Sequence, residues 1–481
     1  MKSLNAPNNA ALVVDLDGTL IRGDTLWESF FALARANPLA WLAACFALLR
    51  GRAAFKQAVA ARASLSLKDV ALNGDVMSFV TSEAETRPLV LATAADGRIA
   101  RRIGEELGIF REVIASDGRN NLKGANKLRA IETWLANEGV ETFDYIGDSV
   151  ADRPIWAKAN NVYVVAATDE AAARIAGGDA VKDRFEKPRT RSQDFIRAMR
   201  PHQWVKNILI FLPLLLSQQF FSAEKIIAAV AAFAAFSLCA SATYIWNDIL
   251  DIRADRAHPR KKNRPFASGA VSIPAGMAFS FALIAVSALI AVAALPIAAL
   301  FLLAGYIVIT LTYSLYFKEK LLVDAMTLGL LYAYRIIIGA AAASIIVSDW
   351  LIAFSMFFFF GLALVKRYTE VASKPADMTG KIAGRGYYAG DREVIGGLGV
   401  ASSFVSVLIM ALYIKSPEVS ALYSNAQMLW IVCLVMIYWL GRIWVLAHRD
   451  HMPDDPIVFA LRDKNSIFAG LICLCAVLLA I

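Results

Sequence analysis

Along the 481 residues, the arrangement of apolar and polar positions changes character near Trp204. Before it, charged and apolar residues mix as in a water-soluble fold. After it, long apolar runs alternate with short polar loops, the pattern of a chain that crosses a bilayer repeatedly. In the first part, the runs 11–14, 88–93 and 142–146 read as buried strands, and 98–107 reads as a helix. Strands alternating with helices predict a mostly parallel sheet with helices on both faces. Residues 21–88 form an insertion of helical character. Its apolar stretch 38–50 is too short to span a bilayer, which leaves a cap over the strand ends or a helix lying in the membrane interface. The expected division is an α/β domain over 1–170, a charged linker over 171–199 and an all-α membrane domain over 200–481.

In the membrane part, candidate spans fall at 208–221, 226–246, 273–295, 297–317, 321–343, 350–365, 394–414, 428–446 and 467–481. That is about nine helices, the first, sixth and last being short for a core of about 30 Å. The loops 253–264, 318–320, 366–392 and 448–464 are charged, whereas those near Ser217, Pro296, Ser344 and Ser416 are nearly bare. Positively charged loops stay in the cytoplasm, so the N-terminal domain is expected there, beside an inner (plasma) membrane, with Ile481 on the far side. Arg200, Lys206 and Trp204, just before the first apolar run, read as an interface anchor.

Composition agrees and excludes other classes. The chain is 58% hydrophobic and 19% charged, with a mean hydropathy of +0.52. Disorder, a nucleic-acid-binding tail and a wholly cytosolic enzyme all fit badly. The five cysteines sit in apolar stretches without zinc-type spacing, and the N-terminus lacks the basic and apolar regions of a cleaved signal peptide.

Each strand of the soluble part leads into chemistry. The first delivers Asp15-Leu16-Asp17-Gly18-Thr19-Leu20, the second Thr93-Ala94-Ala95-Asp96, and the third Gly147-Asp148-Ser149-Val150-Ala151-Asp152; Lys123 and Lys127 lie between. Together these resemble the four motifs of the haloacid dehalogenase-like phosphatases, over roughly 11–167. The resemblance implies Asp15 as a nucleophile that becomes phosphorylated and Asp17 as the acid and base. It implies a Mg²⁺ site from Asp15, Asp148 and Asp152. Thr93 and Lys127, with Lys123 as a second candidate lysine, would hold the phosphoryl group. The second motif lacks the small glycine often seen after its Thr.

The membrane part carries Asn247-Asp248-Ile249-Leu250-Asp251-Ile252-Arg253-Ala254-Asp255 at the end of a predicted span, followed by the basic run Arg260 to Pro265. At 3.6 residues per turn Asn247, Asp251 and Asp255 stack on one face with Asp248 beside them, a set suited to Mg²⁺ on a diphosphate. Arg264 is near enough in sequence to bind phosphate oxygens. This pattern resembles the first aspartate-rich motif of the UbiA superfamily of intramembrane prenyltransferases, over 196–481.

Within that superfamily, residues 200–207, Tyr313 to Lys318, Asp324, Arg335 and Lys366-Arg367-Tyr368-Thr369-Glu370 look most like the branch that transfers phosphoribose from phosphoribosyl pyrophosphate (PRPP) to a polyprenyl phosphate. Users of prenyl diphosphate generally carry a second aspartate-rich motif where this chain has Lys366 and Arg367. A site for PRPP beside an anionic lipid phosphate gains from fixed cations, which Lys206, Arg335, Lys366 and Arg367 supply. Asn207, Tyr313, Lys318, Asp324 and Glu370 complete the candidate substrate-binding set. The resemblance implies displacement at the anomeric carbon of PRPP, after which the fused phosphatase would remove the 5-phosphate. A prenyl diphosphate donor with an aromatic or lipid acceptor is the other reading. Mg²⁺, a membrane and a polyprenyl phosphate are the expected cofactor and partners, and no nucleic acid is expected; the oligomeric state is not legible.

Overall fold

The computed structural model describes residues 10–62, 65–117, 120–373, 380–382, 384–453 and 455–481. The N-terminal stretch read for a signal peptide begins in 1–9, outside the described residues, and Asp454 of the charged loop 448–464 lies outside them too. The chain forms two compact units, one of Met1–Met199 with Tyr244–Ser280, the other of Arg200–Thr243 with Phe281–Ile481. The aspartate-rich segment, expected with the membrane domain, therefore packs with the N-terminal unit.

The first unit is built on a six-stranded, all-parallel sheet in the order β3-β2-β1-β4-β5-β6. Its strands are β1 (Ala10–Val14), β2 (Leu89–Asp96), β3 (Glu112–Ser116), β4 (Thr142–Gly147), β5 (Val162–Ala166) and β6 (Val181–Glu186). The three strands expected from the sequence are β2, β1 and β4, adjacent in the sheet. β1 is buried along its whole length, because helices cover both faces. Each fully buried Leu or Val side chain contributes about 1.5–3 kcal/mol relative to exposure. Two buried clusters lie on either side of the sheet, one around Leu12, Val14 and Leu91 and the other around Val13, Val90 and Trp156. The inward and outward alternation along the strands assigns them.

Between β1 and β2 lie four helices: α1 (Thr25–Ala36), α2 (Pro38–Ala47), α3 (Arg52–Ala60) and α4 (Gly74–Glu83). Asp24 caps α1 by accepting from the amides of Leu26 and Trp27. α2 buries only Ala44, whereas Leu39 and Phe46 on it and Leu49 just beyond are among the most exposed apolar residues of the chain. Trp41 of α2 nevertheless packs on Phe30 of α1, ring centroids 5.5 Å apart, so the helix is part of the insertion and leaves one apolar face open. α5 (Gly97–Leu107) and α6 (Ala125–Glu138) complete the layers used below.

Among the described residues, seven helices are long and apolar enough to cross a membrane: Ala223–Leu250, Ile273–Ala294, Ile297–Leu315, Val323–Ala342, Asp349–Ala372, Ala389–Ile414 and Ala426–His448. The two remaining candidates differ from expectation. Residues 208–221 form no single helix: a 3-10 segment, Pro201–Phe211, passes into the five-residue helix Leu212–Leu216. The last helix, Lys464–Ala480, has 17 residues, about 26 Å at 1.5 Å per residue and short of a bilayer core. The span expected to be short, 350–365, instead lies within the 24-residue helix Asp349–Ala372.

Within the second unit small residues bring backbones together. A Cβ at Gly339 would stand 2.0 Å from the Ile210 carbonyl oxygen, so the Val323–Ala342 helix lies directly on the 3-10 segment. That contact fixes Asn207 and Lys206 beside Arg335.

Candidate functional site

The centre of the first unit lies at the C-terminal ends of the strands, where open parallel sheets bind ligands. β1 leads into Asp15 and Asp17, β2 carries Thr93, and β4 leads to Asp148 and Asp152. Gly18, at φ +76°, passes so close to Asp148 that a Cβ there would sit 2.2 Å from Oδ2. Only glycine fits that turn.

Asp15, Asp148 and Asp152 each offer an oxygen within 4.8 Å of the others, the one such acidic triad among the described residues. Lys127, in the first turn of α6 and 3% exposed, lies 3.0 Å from Asp15 Oδ1 and 3.3 Å from Asp152 Oδ1. Lys123 is exposed, so of the two candidate lysines Lys127 is the one at the carboxylates. Asp15 Oδ1 also accepts from the Leu16 amide, and its Oδ2 accepts no hydrogen bond among the described residues. Asp152 is more fully engaged: Tyr145 donates to Oδ1 at 3.0 Å, and Ser149 to Oδ2 through its amide and hydroxyl. Asp17 accepts from the Thr25 amide at 2.9 Å and its hydroxyl at 3.2 Å. Thr93 Oγ1 accepts from the Ala95 amide at 3.1 Å.

One residue of this centre was not foreseen. Lys187, just past β6, places Nζ 2.6 Å from Asp148 Oδ2. It falls in the stretch read as a linker, and only the pairing of β6 with β5 carries it to the site.

Burial pushes the Asp15 carboxyl up to about 7; Lys127 pulls it down, while Asp152 and Asp148 push it up. Burial and the neighbouring Asp24 hold Asp17 well above the carboxylate range, against the Thr25 bonds. Asp148 is raised by burial, with Lys187 opposing. The three converging carboxylates of Asp15, Asp148 and Asp152 form a donor set suited to a hard divalent cation.

The aspartate-rich segment runs across the junction of two helices. The Ala223–Leu250 helix stops at Asp251, whose φ and ψ are −96° and 6°, and a short helix resumes at Ile252–Ala257. The bonds Asp251 N to Asn247 O and Asp255 N to Asp251 O preserve the turn, but ψ lies far from the helical value near −42°. Asn247, Asp251 and Asp255 thus stay on successive turns, and arginines hold the carboxylates. Arg264 Nη1 joins Asp248 at 3.1 Å to Asp255 at 2.7 Å, and Asp251 Oδ1 pairs at 3.1 Å with Arg35 of α1. Arg264, expected on a phosphate, here neutralises the carboxylates. Burial raises the Asp255 carboxyl, with Arg264 opposing. Arg35 lies more than two hundred positions from its partner, and no local signal marked it.

In the second unit the basic candidates separate by partner. Arg367 is 1% exposed, lies 2.5 Å from Asp324, pairs with Glu370 and donates to the Tyr313 hydroxyl at 3.2 Å. The 2.5 Å approach is an ion pair by distance whose N–H is not aimed for a hydrogen bond. Tyr387 donates to Asp324 and Arg385 holds Glu370 at 2.8 Å. Asp324, expected against ribose or acceptor, is thus placed in the interior as the counter-ion of Arg367, its two oxygens facing Tyr387 and Arg367. Arg335 donates to Asn207 Oδ1 at 2.9 Å and lies over the rings of Phe236 and Tyr332, a setting suited to a guanidinium. Lys206 pairs with Asp455. Burial pushes the Asp455 carboxyl up, but Lys206 and Lys366 outweigh it and hold it below its ordinary range. Lys366 is half-buried and has no carboxylate within ion-pair distance among the described residues. Lys318 sits half-buried just after the Ile297–Leu315 helix.

Residues 12–156 match the family model of the haloacid dehalogenase-like hydrolases, and 208–468 that of the UbiA prenyltransferase family. Fold and sequence together define a multi-pass integral membrane transferase fused to a hydrolase-type α/β domain. The chain belongs to the UbiA prenyltransferase family. It is 37% identical over 474 residues to the uncharacterized protein y4nM of Sinorhizobium fredii, covering 98% of this chain and 90% of that one. It is 33% identical over 281 residues to the nodulation protein NoeC of Azorhizobium caulinodans, covering 57% and 88%. It is 35% identical over 199 residues to the decaprenyl-phosphate phosphoribosyltransferase of Corynebacterium glutamicum, covering 40% of this chain and 59% of that protein. Among solved structures, a UbiA homolog from Archaeoglobus fulgidus bound to GPP and Mg²⁺ covers 59% of this chain and 99% of its own, at 14% identity and a TM-score of 0.45.

Proposed function

We propose that this transferase moves phosphoribose from PRPP to a polyprenyl phosphate, and that its N-terminal domain, on the cytoplasmic side, then removes the 5-phosphate. The observation that carries the first step is Lys366. A half-buried lysine with no ion-pair contact to a carboxylate among the described residues, and with Asp455 as its nearest electrostatic counterpart, is a place for an anionic ligand. It stands where a prenyl-diphosphate user would place carboxylates. The similarity to phosphoribosyltransferases that act on decaprenyl phosphate supports the same reading.

In the transfer, a phosphate oxygen of the lipid forms a bond to the anomeric carbon of PRPP as the bond from that carbon to pyrophosphate breaks. No general base is required, because the lipid phosphate is already ionised. Asp248, Asp251 and Asp255 with Asn247 are the residues that would hold Mg²⁺, which supplies positive charge to the leaving pyrophosphate. Arg264 and Arg35, already seated on those carboxylates, are positioned to turn toward the pyrophosphate. Lys366 and Lys206 offset the acceptor phosphate, and Arg335 is held for the same purpose by Asn207.

In the second step Asp15 attacks phosphorus through a carboxylate oxygen, the ester P–O bond breaks, and the departing oxygen takes the proton of Asp17. That proton is available because burial keeps Asp17 in its acid form. Water then attacks the aspartyl-phosphate, Asp17 takes back a proton, and inorganic phosphate leaves. Asp15, Asp148 and Asp152 would hold the Mg²⁺ that offsets the phosphoryl charge, and Lys127 is fixed beside them.

Membranes containing the protein, given PRPP labelled in ribose and a polyprenyl phosphate, should yield labelled lipid; Asp251→Ala should abolish labelling. The same membranes given a labelled prenyl diphosphate should transfer nothing. Labelling from the prenyl diphosphate alone would establish the other donor. With Asp15→Asn, the product should keep its 5-phosphate, and an unchanged product would refute the second step.

A further inference from the structure

Beside the Asp17 and Asp148 carboxylates lies a cavity of about 260 Å³. Its polar floor is Asp17, Asp148 and Lys187. Its opposite wall comes from a distant stretch of sequence: Phe266, Val271, Ile273 and Pro274. These follow the aspartate-rich segment and belong to the same compact unit as the phosphatase-type sheet.

The wall is fastened to the domain at three places. Arg256 pairs bidentately with Glu28 of α1, at 2.8 and 2.9 Å. The Thr190 hydroxyl donates to the Ala270 carbonyl at 2.7 Å. Gly269, at φ +77°, approaches Arg22 so closely that a Cβ there would stand 3.0 Å from that residue's Cβ. An ion pair this buried and bidentate is costly to break, so the wall is a built surface and no loose loop.

Two features of the cavity point to its ligand. Ile273 and Pro274 are the first turn of the membrane-spanning helix Ile273–Ala294, which puts that wall at the boundary between water and lipid. Arg22, lining the same cavity, is exposed and has no ion-pair partner among the described residues. A free sugar phosphate needs neither an apolar wall at the membrane surface nor a second cation beyond those at the carboxylates. A sugar phosphate joined through a phosphodiester to a polyprenyl chain needs both.

We infer that the phosphatase-type centre takes its phosphomonoester on a polyprenyl lipid. Arg22 meets the linking phosphodiester, and Phe266, Val271, Ile273 and Pro274 receive the first isoprene units. This rests on the phosphatase reading above and adds the residues that receive the lipid part of its substrate. The hydrolysis is the two-step displacement already described.

The test uses the full-length protein in lipid nanodiscs with Mg²⁺, measuring inorganic phosphate released from farnesyl-phosphoryl-ribose 5-phosphate and from ribose 5-phosphate. The lipid-linked compound should be hydrolysed with a kcat/KM about a hundredfold higher or more. Arg22→Gln should lower the ratio of the two kcat/KM values about tenfold, the loss of one charge-assisted contact, and Arg22→Lys should restore most of it. Equal kcat/KM for the two compounds, or a ratio unmoved by Arg22→Gln, overturns the inference while leaving the phosphatase reading intact. Hydrolysis of neither compound, with Asp15→Asn indistinguishable from the unaltered protein, overturns the phosphatase reading and the inference with it.

Discussion

Replacing Lys127 by Met tests how the first centre works. The ammonium lies 3.0 Å from Asp15 and 3.3 Å from Asp152, in a triad of which the Asp15 and Asp148 carboxyls already resist ionisation. At 3.0 Å, unit charges attract by about 5–6 kcal/mol at an effective dielectric constant near 20. Desolvation of the lysine offsets part of this, and breaking a buried pair costs about 3–5 kcal/mol. Even a third of the attraction corresponds to about one pH unit in the Asp15 titration. Asp15, already pushed up to about 7, would then ionise still later, and the nucleophile must be ionised to attack. In Lys127→Met the acidic limb of the phosphate-release profile should move up by about one pH unit or more, and kcat at pH 7 should fall about a hundredfold. Lys123→Met, on an exposed side chain, is the matched control. An acidic limb unmoved and a kcat within threefold of the unaltered protein would refute the assignment of Lys127 to the reacting carboxylates.

Three further outcomes follow from the same geometry. In EDTA, stability should fall as pH rises from about 4 to about 7, since the Asp15 and Asp148 carboxyls are raised in the folded state and their contribution is lost as they ionise; melting at pH 5 and pH 8 checks the sign, and Mg²⁺ should recover most of the loss at pH 8. Arg35→Met removes the guanidinium 3.1 Å from Asp251, so the Mg²⁺ concentration giving half-maximal lipid labelling should drop about threefold or more as competition for that carboxylate ends; titrating Mg²⁺ in the labelling assay reads it. Lys366→Met should cut lipid labelling about a hundredfold with melting nearly unchanged, whereas Arg367→Met should cost about 3–5 kcal/mol of stability, because it strands the buried Asp324; thermal melting separates the two.

The contrast between Lys366 and Arg367 shows what the sequence could and could not disclose. Both stand in one cationic run on one helix, and their residue types alone gave them one role. Position on the helix separates them: Arg367 turns inward to Asp324, Tyr313 and Glu370, while Lys366 makes no ion-pair contact with a carboxylate among the described residues and acts on Asp455 only from beyond that distance. The strand-end carboxylates were legible for the opposite reason. Asp15 and Asp148 follow apolar runs whose strands can pair only as neighbours in the sheet, so local pattern and tertiary position coincide. β6 and Lys187 escaped because their strand, Val181–Glu186, is charged and lies near the sheet edge, where alternation is weak.

One piece of chain, 244–280, lies inside the matched transferase region and yet packs with the N-terminal unit. Hydropathy assigned 244–280 to the membrane part, because a span ends in it and another begins there. Hydropathy reports the solvent of a segment and says nothing of its neighbours. The segment's polar residues make long-range bonds into the phosphatase-type domain: Arg256 to Glu28, Arg253 to Asp69, Ala270 to Thr190 and Asp251 to Arg35. Each joins residues at least 80 positions apart, and none has a periodic signature. The aspartates proposed to hold the donor's metal and the wall of the phosphatase-type cavity are therefore parts of one stretch, separated only by the turn at Arg264. A change that moves α1 acts on both through Arg35 and Glu28. That makes the fused domain part of the construction of the donor site, and removing residues 1–199 should impair lipid labelling even though the matched transferase region begins at 208.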